Sequence, residues 1–159
     1  ITTEPVDALE FVFTERAVQN ASPSIDSFKV HQKHMQDNLI LKTDFTYSAE
    51  VHPNPSASNA KLTYTWRIIQ ESTDKKSGGD FEQYAEEITG LIKKGKSGPN
   101  IQFRAPKLKG EYRLFVTIKG NQKVAYANFP FKVVEPASTD KPARFIKWRH
   151  TDLNDFYTP

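Results

Sequence analysis

Alternation with a period of two runs through most of this chain. Its clearest stretch is 41–51, where Leu41, Phe45, Tyr47, Ala49 and Val51 fall on one side and Lys42, Asp44, Ser48 and Glu50 on the other. A half-buried strand has that pattern, because successive side chains leave a strand on opposite faces. The pattern predicts one strand that stops at the proline-rich turn His52-Pro53-Asn54-Pro55. The next run places Leu62, Tyr64, Trp66 and Ile68 on one side and is dense in β-branched and aromatic residues, which predicts a central strand. Ile101 and Phe103 mark a short strand before Pro106, and 111–118 turns Tyr112, Leu114, Val116 and Ile118 inward up to a hairpin turn around Gly120-Asn121. The partner strand runs from Lys123 to Val134. Pro130 lies near its middle and lacks an N–H for the ladder, so that strand belongs at an edge or breaks at a bulge there. Ile25 to Val30, opened by Pro23, reads as the first strand.

Several short strands separated by turns, with no helix regularly interposed, predict an all-β, antiparallel β-sandwich of immunoglobulin-like, fibronectin III-like kind. A Trp on the third strand and a Tyr just after Lys109-Gly110 fit that core, with the Tyr hydroxyl bonding back to the preceding corner. Trp66 and Tyr112 are therefore assigned to structure. The segment 71–96 breaks the pattern as a long loop or short helix: Gly78-Gly79 is a loop, and Asp80 with Gln83 forms a capping-box pattern ahead of Phe81, Tyr84, Ala85 and Ile88 on one helical face. Its acidic residues do not follow the Asp-x-Asp-x-Asp-Gly spacing of a Ca²⁺ loop, so they read as a solvated surface.

Composition narrows the function classes. The 22 Lys and Arg against 19 Asp and Glu leave a net charge of +3, too small and dispersed for a nucleic-acid footprint despite a pI near 9.0. With no Cys there are no disulfides or thiolate metal sites, while large secreted domains fold without either. The chain opens on Ile1, and no apolar run approaches the roughly 20 residues of a membrane span, so it reads as a mature protein or a fragment.

Catalytic chemistry finds no starting group. His31 and His34 are spaced His-x-x-His near Asp37, but two histidines in a turn fall short of a metal-ligand set and read as surface. There is no Gly-x-Ser-x-Gly elbow and no phosphate loop, and nothing singles out Glu50, Glu71, Glu86 or Glu111 as a glycosidase pair. The expectation is a non-enzyme with no cofactor and no metal.

Leu62-Thr63-Tyr64-Thr65-Trp66-Arg67, the stretch from Glu71 to Asp80 (Glu-Ser-Thr-Asp-Lys-Lys-Ser-Gly-Gly-Asp), Phe103-Arg104-Ala105-Pro106, Gly110 to Val116, and Ala127-Asn128-Phe129-Pro130-Phe131 together resemble the PKD-like, immunoglobulin-type C-terminal domain of secreted glycoside hydrolases from Bacteroidetes. The resemblance covers 23–135. It departs from the family pattern at Ser56-Ala57-Ser58-Asn59 and at the short Gly120-Asn121-Gln122 turn. It implies attachment to, or descent from, a carbohydrate-active enzyme, with export to the periplasm or cell surface, and it carries no catalytic residue.

Outside that match, 1–22 is an extension whose Leu9 to Thr14 alternate, as an extra strand or the remnant of a preceding domain would, and 136–159 is a linker followed by an aromatic, basic tail. Two functions follow: a structural spacer or interaction module that holds a catalytic domain of the same or another chain, and a carbohydrate-binding module. For the second, Trp148, Tyr157, Phe81, Tyr84 and Tyr126 are the candidate platforms, since exposed rings stack on sugar faces beside hydrogen-bonding groups. The tail either packs back on the sandwich or docks on a partner.

Overall fold

The computed structural model describes residues 2–16, 22–54, 61–71, 86–120 and 123–137. Nine strands and one α-helix are found among them: β1 (Thr2–Thr3), α1 (Glu4–Thr14), β2 (Ser24–Val30), β3 (Ile40–Lys42), β4 (Thr46–Asn54), β5 (Thr63–Gln70), β6 (Ile92–Lys94), β7 (Asn100–Arg104), β8 (Gly110–Gly120) and β9 (Lys123–Val134). One sheet has the order β2-β4-β7-β6. The other has the order β1-β9-β8-β5, with β3 also on β9. In immunoglobulin lettering these are A-B-E-D against C-F-G, an all-β immunoglobulin-like sandwich.

The inward alternation of both sheets builds the core. Trp66 and Ile68 on β5, Tyr112, Leu114, Val116 and Ile118 on β8, and Phe129, Phe131 and Val133 on β9 are buried against Val30, Ala49, Val51, Ile101 and Phe103 of the opposite sheet. Each large side chain so buried contributes about 1.5–3 kcal/mol. Phe28 ties the layers together: its ring meets Trp66 edge-on at 5.7 Å and Phe129 at 5.5 Å. Trp66 also donates its indole N–H to the carbonyl of Gly98 at 2.9 Å, which fixes the approach to β7. The Tyr112 hydroxyl donates to Leu108 O at 2.8 Å, the corner bond expected of that residue.

Several expectations are corrected. The alternating stretch 41–51 is two strands in different sheets. Asp44 takes a left-handed conformation (φ 69°), so β3 ends and the chain crosses to β4, leaving Leu41 and Val51 to face the same core from opposite layers. β5 is not central; among the described residues β8 is the one named strand beside it, its other edge carries the isolated bridge Ile69↔Glu87, and the middle of that sheet is β8 and β9. The short strand β6 lies inside the segment read as loop or helix, paired with β7. Of the residues expected on one helical face, Phe81, Tyr84 and Ala85 lie outside the described residues, and Ile88 is not helical, because its N–H donates to Ile68 O of β5 at 2.8 Å.

The N-terminal extension is the largest correction. Leu9 to Thr14 are helical, not an extra strand. Val6, Leu9 and Phe13 also fit i, i+3, i+7, and Pro5 falls in the first turn, where the missing N–H is no loss. Glu15, at φ 51°, closes the helix by donating its N–H to Phe11 O at 2.8 Å. A strand does form here, but it is β1, parallel to the start of β9.

Candidate functional site

Along β9 the odd residues Ala125, Phe129, Phe131 and Val133 point into the core, while Tyr126, Pro130 and Lys132 face out. Tyr126 is 63% exposed. It stands at the rim of a groove of about 870 Å³ along the seam where the edge of β9 faces β2. Ile25, Phe28, Ala125 and Ala127 give the groove its apolar lining, and Asp26, Ser27, His34, Gln36 and Asn128 give it hydrogen-bonding groups. The two sheets separate here because β2 stays in one layer while the chain crosses through a 3-10 turn at Met35–Asp37 to β3 in the other. Asp37 holds that turn by accepting the His34 N–H at 2.8 Å.

β9 shows how its edge is used. β8 covers one side over the whole strand, from Gly110↔Val133 to Gly120↔Lys123, without a register shift. On the other side β1 takes Lys123 and Val124, and β3 takes Lys132 to Val134, both running parallel to β9. Among the described residues nothing pairs with that edge over 125–131. Pro130 sits in this gap and causes no bulge, since its missing N–H falls on the uncovered side.

Helix α1 lies at the β1 end of the same strand and is turned the unusual way round. The Asp7 carboxylate is buried and accepts hydrogen bonds from Lys123 Nζ and from the Ser22 N–H, the latter at 2.5 Å. Burial works to raise the Asp7 pKa, but the bonds from Lys123 and Ser22 and the Lys123 charge outweigh it and hold the carboxyl below its ordinary 3.8. At 100° per residue, Val6, Leu9, Val12 and Phe13 fall within an arc of about 120° away from Asp7. That arc is exposed, with Val12 at 67% and Phe13 at 81%. The helix is tied down through a carboxylate and shows its apolar face to the outside.

The histidines occupy separate places. His31 and Gln32, both with positive φ, form the tight turn from Val30 to Lys33, and the His31 ring packs edge-on against Tyr47 at 5.2 Å. His34 lines the seam groove. Among the described residues no three His, Asp or Glu side chains converge to hold a metal, and no helix is long and apolar enough to cross a membrane. Of the five aromatic candidates, Tyr126 is placed at the groove; Phe81, Tyr84, Trp148 and Tyr157 lie outside the described residues. The sequence reading missed the α1 face, which Val6, Leu9 and Phe13 signalled, and the polar groove residues, whose convergence depends on the β2-to-β3 crossing.

No family model matches the chain, and no curated protein matches it. Among solved structures it is similar to an endo-β-1,4-mannanase from Thermotoga petrophila, at 18% identity and a TM-score of 0.37, over 80% of this chain and 22% of the mannanase. It is also similar to the PmoD soluble domain from Methylocystis sp., at 14% identity and a TM-score of 0.37, over 67% of this chain and 89% of that one. A mutant complex of titin M10 with an obscurin-like 1 Ig domain matches at 10% identity and a TM-score of 0.35, over 74% and 98% of the two chains.

Proposed function

We propose that this chain is a non-catalytic accessory module of a secreted carbohydrate-active enzyme, a PKD-like immunoglobulin domain acting in the periplasm or at the cell surface as a spacer that docks on a partner surface, such as a catalytic domain. The observation that carries the docking part is α1: Leu9, Val12 and Phe13 are all more than half exposed on one face of a helix whose buried Asp7, on the opposite side, fastens it to β9. Monomeric domains seldom keep a contiguous apolar face uncovered, so such a face is a contact surface. The link to carbohydrate-active enzymes and to export rests on the sequence motifs from Leu62 to Phe131.

The seam groove favours a second reading, carbohydrate binding, because Tyr126 stands there beside Asn128, Gln36 and Asp26. Affinity gel electrophoresis against neutral and acidic polysaccharides separates the two. The spacer reading predicts no retardation by any of them. Retardation by one polysaccharide that is lost in a folded Tyr126→Ala variant makes the domain a binding module and overturns the spacer reading.

A further inference from the structure

The gap on β9 has a chemistry of its own, because its free groups are main-chain groups. Lys132 donates its N–H outward to Leu39 O at 2.9 Å, and Val134 accepts from the Thr43 N–H at 2.9 Å, so the even residues of β9 direct their backbone away from β8. By the two-residue period, Tyr126 and Asn128 each offer an outward N–H and C=O, and Pro130 offers a C=O alone. Among the described residues no partner takes these groups. The uncovered stretch, 125–131, is about 23 Å long at 3.3 Å per residue.

We infer that this edge is a strand-addition site that takes a short extended polypeptide segment of a partner protein, lying beside β9 between β1 and β3. A sugar can meet one or two of these groups, whereas an extended backbone meets them all at their own spacing. Both flanking strands already pair with the same edge and run parallel to β9, so the added segment continues a ladder that the chain has begun at each end. The segment's inward side chain enters the groove by Ile25, Phe28 and Ala127, and its outward ones lie along Tyr126 and Asn128. A second copy's β9 does not fit: it carries its own β1 and β3 on that edge, and they fill the lane a neighbouring β9 needs. The occupant is therefore short, apolar at one inward position and polar at the outward ones. This goes beyond the accessory-module reading and stands on β9 alone, whether or not a polysaccharide binds.

The test is amide hydrogen exchange on the whole chain with and without the blocked heptapeptide Lys-Thr-Thr-Val-Thr-Thr-Lys, whose one Val falls on the inward face. Slower exchange at Tyr126 and Asn128, with Ala127 and Phe129 unchanged because their N–H groups face β8, is the expected result. Asn128→Pro keeps the fold, since Asn128 opposes Phe115 in the same phase as Pro130 opposes Arg113. It removes one outward donor and weakens the peptide roughly ten-fold, the equivalent of one hydrogen bond. Unchanged exchange at Tyr126 and Asn128, or undiminished binding by Asn128→Pro, overturns the inference. So does finding both amides already as slow as Ala127 in the chain by itself, which means that the chain covers its own edge.

Discussion

Lys123 Nζ donates to the buried carboxylate of Asp7, and this single ion pair ties helix α1 to the first residue of β9. Both side chains are largely withdrawn from water, so neither is left without cost when the other is removed.

Asp7→Asn is therefore expected to lower stability at neutral pH by about 1.5–3 kcal/mol, the range for a hydrogen bond to a charged group. The Asp7 pKa is depressed in the folded chain, so its contribution is fully present above the ordinary 3.8 and is lost as pH falls through the lower native value. Urea unfolding of both proteins at pH 7 and at pH 3 checks this. The gap between them narrows at the lower pH, and an equal gap at both contradicts the assignment.

Tyr112→Phe removes only the hydroxyl that donates to Leu108 O, leaving the ring stacked on Phe131 at 5.8 Å. A loss of about 1–2 kcal/mol is expected, because the carbonyl loses a partner at a half-buried corner. Thermal unfolding reads it. No change in Tm means that the corner bond contributes nothing to holding β8 in place.

Gly95 and Gly90 both have positive φ, at 74° and 76°, but a Cβ on Gly95 meets Asn100 O at 1.9 Å whereas one on Gly90 meets nothing within 4 Å. Gly90→Ala should cost about 1–2 kcal/mol, the left-handed strain by itself. Gly95→Ala should cost clearly more, because the turn into β7 has to shift. Equal costs in chemical denaturation contradict the close approach.

The core was legible wherever alternation and turn chemistry agreed. Leu114, Val116 and Ile118 announce β8 by period two, and Pro130 announced an edge. Alternation does not say which sheet a strand joins, so one left-handed residue, Asp44, was enough to divide the run from Leu41 to Val51 between two layers. At 9–13, Leu9, Phe11 and Phe13 satisfy the strand period while Val6, Leu9 and Phe13 satisfy the helical one, and the buried Asp7 anchor that goes with the helix is a long-range contact with Lys123. The site was less legible for the same reason. Tyr126 was readable as an exposed ring, but its neighbours Asp26 and Gln36 reach the groove only through the crossing from β2 to β3, and the gap on β9 exists only because β1 and β3 take its two ends.

Whether the outward face of α1 belongs to a partner is decided by the stability of the double variant Leu9→Lys, Phe13→Lys. If the face belongs to a partner, the isolated chain unfolds within about 0.5 kcal/mol of the parent, as surface changes do. A loss of 2 kcal/mol or more, the cost of disturbing a buried apolar site, would show that the face packs on this domain and would contradict the account.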